Sequence, residues 1–151
     1  WSLDIVGDGP LRAALESQVA RLGLEHRVRL LGPRSEDEVR GHLRSATAFA
    51  LACRTAADGD RDGIPVALME AMSVGTPVLT TRLGGIPELV EGAGLLVAPG
   101  DVTELAAAIE RLDDAELRSD LAAVALERIE SSWTVEASAE MLVADVFGAR
   151  G

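Results

Sequence analysis

The sequence predicts an α/β fold, in which a parallel sheet carries helices on both faces and is followed by a helical C-terminus. Short β-forming runs alternate with segments of helical period, which favours parallel strands joined by crossover helices. The 151 residues are 48% hydrophobic but only 3% aromatic, and this composition is typical of helices packed on a sheet. The length is close to that of one domain, so we expect residues 1–151 to form a single domain.

The elements follow one another in a regular order. Strands are predicted over residues 3–7, 28–32, 47–53, 77–81 and 94–99. The first helix follows Pro10 and ends at Gly23, and Ser35 with Glu38 forms a capping-box signal for a second helix that ends near Ser45. Another helix follows Pro65. The remaining helices begin at Asp101, at 114 or 115, and at Thr134, and the last two extend to residues 129 and 147.

Charge and cysteine content exclude several classes of protein. Twenty-five acidic and 14 basic residues give a net charge of -11, which argues against binding to nucleic acid or to anionic membranes. Cys53 is the single cysteine, so an internal disulfide is impossible, and its apolar neighbours favour an inert buried thiol. No apolar run reaches the length of a membrane span and no leader is visible, so we expect a cytoplasmic protein.

Sites on parallel sheets form at the carboxyl ends of the strands. This rule predicts a site among the loops over residues 7–10, 32–35, 54–65 and 82–87. The first loop, "VGDGP", lacks the third glycine of a dinucleotide fingerprint, so NAD binding is not expected. In the third loop Asp58, Asp60 and Asp62 alternate as in part of a calcium loop. The rest of that motif is absent, so these carboxylates are either solvated surface groups or a cation site.

The segment around Pro65 is unusual, because Glu70 is the one charged residue in a run of apolar or small residues from 64 to 79. A helix apolar on all sides is expected to be buried. Its N-terminus presents free N–H groups to an anion, and Glu70 lies about 6 Å farther along the axis, within reach of a ligand's hydroxyls. Alternatively, Glu70 pairs with an arginine, for which Arg54, Arg61 and Arg82 are candidates.

The segment "DGIPVALMEAMSVGTPVLTT" resembles the signature of the retaining, nucleotide-sugar-dependent glycosyltransferases of the GT-B fold, family four, also called group 1. Their hallmark is a carboxylate, seven residues, a glutamate, and then Ala-Met and Gly-x-Pro-Val. Asp62 and Glu70 match that spacing. The stretches "LDIVGDGP", "HRVRLLG", "TTRLGGIPELV", "GLLVAPGD" and "SSWTVEASAEML" follow in the family's order, so the resemblance covers almost the whole chain. It implies a Rossmann-like domain, the C-terminal half of a GT-B fold.

The resemblance also implies roles for single residues. Glu70 would bind the ribose hydroxyls of the nucleotide, and Asp62, where the family usually has glutamate, would contact the donor sugar. The backbone at the start of the helix that follows Pro65 would lie against the sugar and diphosphate. The end of the strand that precedes Arg34 would touch the base. The remaining donor-binding residues implied are Gly63, Ile64, Pro65, Val66, Ala67, Arg34, Ser35 and Glu36.

The implied reaction is transfer of a sugar from a nucleotide-sugar to an acceptor hydroxyl with retention of configuration, without metal, cofactor or covalent nucleophile. The acceptor, a sugar or a lipid-linked molecule, would bind an N-terminal domain that could place the enzyme at the inner face of the membrane. The family's first strand and helix, and that N-terminal domain, are absent from this sequence, so we expect an inactive fragment with an incomplete sheet that favours a homo-oligomer. The alternatives are an epimerase or phosphorylase of the same fold, and a non-catalytic nucleotide-binding α/β module.

Overall fold

The computed structural model describes residues 1–54 and 63–133, which fall into two units, residues 1–42 and residues from 43 onward. Each unit contains a parallel sheet with helices, and long helices end the described chain. This arrangement confirms the predicted α/β class with a helical C-terminal part. None of the described helices is long and apolar enough to cross a membrane.

The N-terminal unit contains a two-stranded parallel sheet. Strand β1, Leu3–Val6, pairs with β2, Val28–Gly32, and the chain between them forms helix α1, Arg12–Arg21. The register shifts between Ile5 and Val6. The Arg29 guanidinium donates to the Asp4 carboxylate across the pair, with 2.6 Å between Arg29 Nε and Asp4 Oδ1. This hydrogen bond lowers the pKa of Asp4 below its usual value and joins the two strands at their surface.

Helix α1 has the predicted apolar period but buries none of its side chains. Leu11, Leu15 and Leu22 are 68%, 36% and 56% exposed. Arg12 connects the helix to β2 by a hydrogen bond, in which its Nη2 donates to the carbonyl oxygen of Leu30 at 3.2 Å. The sequence pattern therefore predicted the helix correctly, while its apolar face remains uncovered in the described chain.

Helix α2, Glu36–Ser45, begins with the predicted capping box. The Ser35 N–H donates to Glu38 Oε2 at 2.9 Å, and the Glu38 N–H donates to Ser35 Oγ at 3.4 Å. The Ser35 hydroxyl also donates to Glu38 Oε2, and this bond and the one from the Ser35 N–H lower the pKa of Glu38, because they stabilise its charged form. The predicted end near Ser45 is also confirmed.

The C-terminal unit is built on a three-stranded parallel sheet in the order β3-β4-β5. The strands are Phe49–Leu51, Val78–Thr81 and Leu95–Val97, and all four residues of the central strand β4 are buried. Its two threonines donate to β3 and to the chain just after it, since Thr80 Oγ1 donates to the Leu51 carbonyl at 2.7 Å and Thr81 Oγ1 to the Cys53 carbonyl at 2.8 Å. Burial of a hydroxyl is tolerated here because each one is hydrogen-bonded.

Four helices complete this unit within the described residues. They are α3, Val66–Ser73; α4, Ile86–Val90; α5, Val102–Arg111; and α6, Ala115–Ser132. Asp101 caps α5 at its predicted start, and Asp114 caps α6, which was expected to begin at 114 or 115; their carboxylates accept from the N–H groups of Glu104 and Glu116, each at 2.9 Å. Helix α4 was not predicted, and α6 ends three residues beyond the expected 129. The predicted helix from 134 to 147 lies outside the described residues.

The core of the C-terminal unit lies between the sheet and the helices α5 and α6, where Leu79, Leu95, Val97, Ala108, Leu112 and Leu121 cluster. Helix α3 packs against α6 and contacts β3 and β4. Gly94 permits one close approach, because a Cβ there would lie 2.5 Å from Val78 Cγ2 and 2.8 Å from the Val78 carbonyl oxygen. Tight packing of this kind fixes the strand ends, and with them the loops that carry the candidate site.

Candidate functional site

Because the three strands of the C-terminal unit are parallel, their carboxyl ends meet at one edge of the sheet, and the loops that follow them lie there. The chain after Cys53 leads to α3 and is described again from residue 63, a second connection runs from residue 82 to residue 85, and a third from residue 98 to residue 101. The first two loops belong to the set predicted from the sequence. They bring the start of α3 beside the turn between β4 and α4.

Helix α3 begins with backbone donors that its own turns do not use. Pro65 is the N-cap residue in an extended conformation, with φ -64° and ψ 127°, and no described side chain caps the helix. The first intrahelical bond recorded is from the Leu68 N–H to the Pro65 carbonyl at 3.0 Å. The N–H groups of Val66 and Ala67 have no acceptor within an α-helix. Together with the helix dipole, they suit a negatively charged group.

The prediction that α3 is buried on all sides is wrong. Leu68, Ala71 and Met72 are buried, but Val66 is 63% exposed, and Glu70 is exposed as well. Residues four positions apart on a helix share one face, so Val66 and Glu70 form part of an exposed stripe. The sheet and α6 cover one side of α3 and leave this stripe open, so the Glu70 carboxylate is exposed to solvent rather than buried.

The Glu70 carboxylate makes no ion pair or hydrogen bond with any residue in the described ranges 1–54 and 63–133. Of the three arginines considered as partners, Arg82 pairs with Glu91 instead, at 3.6 Å between Nη1 and Oε1. Arg54 does not pair with Glu70, and Arg61 lies outside the described residues. Among these described residues the carboxylate has no competing partner, and it lies one helical turn behind the N–H groups at the start of α3.

Asp62, the second predicted carboxylate, lies outside the described residues, as do Asp58 and Asp60 of the candidate cation site. Their roles stay predictions. Gly63 is exposed, and Ile64 and Pro65 are half-buried, so the described end of this loop leads directly into α3. Among the described residues no three His, Cys, Asp or Glu side chains cluster closely enough to hold a metal ion.

The turn between β4 and α4 was nominated as a loop, but its contacts with the neighbouring loop were not foreseen. Ile64 lies against Gly85, where a Cβ would be 3.2 Å from Ile64 Cγ1 and 3.4 Å from Ile64 Cδ1. Thr81, at the other end of the turn, is hydrogen-bonded to the Cys53 carbonyl. The doubled threonine at the end of a buried strand, followed by two glycines, is the sequence signal that could have indicated these contacts.

Arg54 lines a cavity of about 150 Å³ beside this turn, together with residues of β5 and the start of α5. Its guanidinium lies against Gly100, because a Cβ there would be 3.4 Å from Arg54 Nη2. Asp101 lines the same cavity but uses its carboxylate to cap α5. Apolar groups dominate the rest of the lining, so Arg54 is its cationic feature.

The other predicted donor-binding residues lie in the N-terminal unit, after strand β2. Arg34 Nη1 donates to the Pro33 carbonyl at 3.0 Å, and Arg34 Nε lies 3.9 Å from Glu38 Oε1. Ser35 belongs to the capping box of α2, and Glu36 is exposed in its first turn. Arg34 and Ser35 therefore have local structural roles at the start of α2, and their predicted contact with a base remains a prediction.

Several known proteins are similar to this chain. A family model described as glycosyl transferases group 1 matches residues 1–114. The amylovoran biosynthesis glycosyltransferase AmsK of Erwinia amylovora is 46% identical over 114 residues, which cover 74% of this chain and 28% of that protein. The chain thus spans less than a third of the length of this relative.

Two further similarities cover more of the chain. A GDP-mannose-dependent monoacylated alpha-(1-6)-phosphatidylinositol monomannoside mannosyltransferase of Corynebacterium glutamicum is 34% identical over 143 residues, covering 91% of this chain and 36% of that protein. The crystal structure of Anabaena Alr3699/HepE in complex with UDP-glucose superposes with a TM-score of 0.70 at 31% identity, covering 84% of this chain and 36% of that one.

Proposed function

Because this chain belongs to the glycosyl transferases of group 1, we propose that it is the nucleotide-sugar-binding part of a retaining glycosyltransferase in polysaccharide or glycoconjugate synthesis. The observation that carries the proposal is the exposed Glu70 carboxylate one turn behind the unused N–H groups at the start of α3. The UDP-glucose complex of one relative and the GDP-mannose in the name of another support a nucleotide-sugar as ligand.

In this proposal the diphosphate of the donor binds the start of α3. The N–H groups of Val66 and Ala67 and the dipole of the helix stabilise its negative charge. The ribose lies farther along the exposed face of the helix, where Glu70 accepts hydrogen bonds from its hydroxyls. Hydrogen bonds to a carboxylate are stronger than those between neutral groups, so Glu70 would contribute substantially to affinity.

Transfer then proceeds at the sugar's anomeric carbon. Its bond to the diphosphate oxygen breaks, and the electron pair leaves with the diphosphate. The acceptor oxygen forms the new bond on the same face and gives its proton to a diphosphate oxygen. The donors at the start of α3 stabilise the charge that develops on the leaving group, so we propose that no metal ion is required. Asp62 would orient the sugar through its hydroxyls.

We propose that the acceptor binds regions of the enzyme beyond this chain, because the chain spans 28% of its relative AmsK. Within each described sheet, β1 and β3 each pair with one neighbour, β2 and β4 respectively. Each therefore offers an edge to which a further strand could add. Donor binding belongs to this chain in the proposal, whereas sugar transfer needs the full-length enzyme.

Metal dependence separates this proposal from a cation site at the acidic loop. We expect UDP or GDP to raise the Tm of the protein equally with about 5 mM EDTA, which removes divalent cations, and with about 5 mM Mg²⁺. This Mg²⁺ concentration is on the order of that needed to occupy a millimolar metal site. Thermal unfolding followed by circular dichroism measures the shift. Stabilisation that appears only with Mg²⁺ would overturn metal-independent binding and favour ligation by Asp58, Asp60 and Asp62.

Asp62→Glu tests the second carboxylate, where the family usually has glutamate. The longer side chain keeps the charge and the acceptor oxygens, so we expect the kcat of the full-length enzyme to change by less than about tenfold. Asp62→Asn removes the charge and should lower kcat more than Asp62→Glu does. If both variants retain full activity in a donor-hydrolysis assay, Asp62 has no role in holding the sugar.

A further inference from the structure

We propose that the turn over residues 81–85 positions the donor-binding backbone at the start of α3, because it contacts the chain at Cys53 and again at Ile64, just before this helix. This inference rests on the proposed function and adds two positioning residues, Thr81 and Gly85, which need not touch the donor themselves. It follows from two contacts of the C-terminal unit, one at each end of the turn.

The first contact fixes the beginning of the loop. Strand β3 ends at Leu51, yet the Thr81 hydroxyl continues the connection to β4 by donating to the Cys53 carbonyl at 2.8 Å. Thr81 is 1% exposed, so this hydrogen bond is shielded from competing water. The backbone at Cys53, immediately before Arg54 and the loop, is thereby tied to the central strand.

The second contact fixes the end of the loop. Ile64 lies directly on Gly85, and no larger residue could occupy position 85 without displacing it, since an added Cβ would be 3.2 Å from Ile64 Cγ1. Gly85 has φ -81° and ψ -2°, which any residue adopts. Space for Ile64, rather than backbone freedom, is therefore the reason that glycine is needed here.

The turn itself is fixed to the sheet and to α4. The Arg82 N–H donates to the Val97 carbonyl of β5 at 2.8 Å, and the Leu83 N–H donates to the Thr81 carbonyl at 2.9 Å. The Ile86 N–H donates to the Leu83 carbonyl at 3.0 Å, which joins the turn to α4. These bonds connect the turn to β5 and to α4, and in this proposal the donor-binding backbone from Gly63 to Ala67 takes its position from the turn.

The first test uses Gly85→Ala, with isothermal titration calorimetry of UDP and GDP on the full-length protein. The added methyl group must displace Ile64 by a few tenths of an ångström, so we expect Kd for the bound nucleotide to rise about three- to tenfold, less than the hundredfold typical of a 1 Å misplacement. Gly41→Ala is the control, because a Cβ at Gly41 meets nothing within 4 Å. It should leave Kd unchanged.

A double-mutant cycle shows whether the effect passes through the observed contact. In an Ile64→Ala background the obstructed atoms are gone, so adding Gly85→Ala should change Kd by less than about twofold. An equal loss of affinity with and without the Ile64 side chain would overturn the inference. Wild-type affinity in the Gly85→Ala protein would overturn it as well.

The second test uses the matched pair Thr81→Val and Thr80→Val, which remains informative even if Gly85→Ala does not fold. Each removes one buried hydroxyl that donates to a β3-side carbonyl, so both should lower Tm to a similar extent. We expect only Thr81→Val to raise Kd for UDP or GDP, and Thr81→Ser to restore it. Equal affinities in the two valine variants would contradict a positioning role for Thr81.

Failure of the inference is distinguishable from failure of the proposed function. If the wild-type protein binds neither UDP nor GDP, the proposed function fails, and the inference fails with it. If the wild type binds one of them and Glu70→Gln weakens that binding, while the variants at positions 81 and 85 bind normally, the proposed function stands and the positioning role of the turn is refuted.

Discussion

Helices α1 and α3 both begin one or two residues after a proline, yet they differ in how far their apolar side chains are buried. Helix α1, which carries Leu15 and Val19 and is flanked by Leu11 and Leu22, fully buries none of them. Helix α3 buries Leu68, Ala71 and Met72 against the rest of the C-terminal unit. A regular apolar period therefore indicates a helix, but burial depends on which elements the fold places beside it.

The same comparison separates stability from function within α3. Its buried face packs against the sheet and α6, whereas its exposed face presents Val66 and Glu70. Substitutions on the buried face should change the free energy of unfolding, and substitutions at Glu70 should change ligand binding. Helix α1 is a reference, because its exposed apolar side chains should contribute little to the free energy of unfolding or to ligand binding.

The largest expected effect in this comparison is that of Leu68→Ala. Leu68 is 0% exposed, and truncating a fully buried leucine costs about 2–5 kcal/mol of the free energy of unfolding. Leu15 of α1 is 36% exposed, so Leu15→Ala should cost less than about 1 kcal/mol. Urea unfolding of both variants measures the difference. Equal costs would show that α1 is packed as tightly as α3, contrary to the structure.

A smaller effect is expected from the surface ion pair of the N-terminal unit. The hydrogen bond from Arg29 lowers the pKa of Asp4, so the stabilisation is present above the pKa of the unfolded chain, near 4. It is lost as the pH falls through the lower pKa of the folded state. Asp4→Asn should therefore destabilise the protein slightly at pH 7, and the difference from wild type should disappear at strongly acidic pH.

Salt provides the control for this ion pair. The side chains of Arg29 and Asp4 are 67% and 28% exposed, so added salt screens their interaction. The difference between wild type and Asp4→Asn in urea unfolding at pH 7 should decrease in 1 M NaCl, where the screening length is about 3 Å. A difference that grows as the pH falls would contradict the lowered pKa.

Local signals in the sequence predicted much of the fold. The capping residues Ser35, Asp101 and Asp114 make their hydrogen bonds within three positions along the chain, so they could be recognised without knowledge of the tertiary structure. Helix α4 escaped prediction because its five residues, Ile86–Val90, are too few to show a helical period.

The candidate site was less accessible to sequence reasoning. The spacing of Asp62 and Glu70 identified the segment, but the exposure of Glu70 depends on which side of α3 the sheet and α6 cover. The contact of Ile64 with Gly85 joins two loops that follow different strands. Such contacts are set by tertiary packing, which no local pattern encodes.

The central claim is that Glu70 on the exposed face of α3 binds the nucleotide, and a comparison of two glutamates tests it most directly. Glu127 is an exposed glutamate within α6, so Glu127→Gln is a matched control for Glu70→Gln. Both variants should keep the wild-type Tm, because exposed substitutions change stability by only about 0.5 kcal/mol.

The measurement is isothermal titration of UDP and GDP into wild type and both variants of the full-length protein, in buffer containing EDTA. We expect Glu70→Gln to raise Kd at least about tenfold, since a hydrogen bond to a charged group contributes about 1.5–3 kcal/mol and 1.4 kcal/mol is tenfold. Glu127→Gln should bind like wild type. Unchanged affinity in Glu70→Gln, or an equal loss in both variants, would contradict the account.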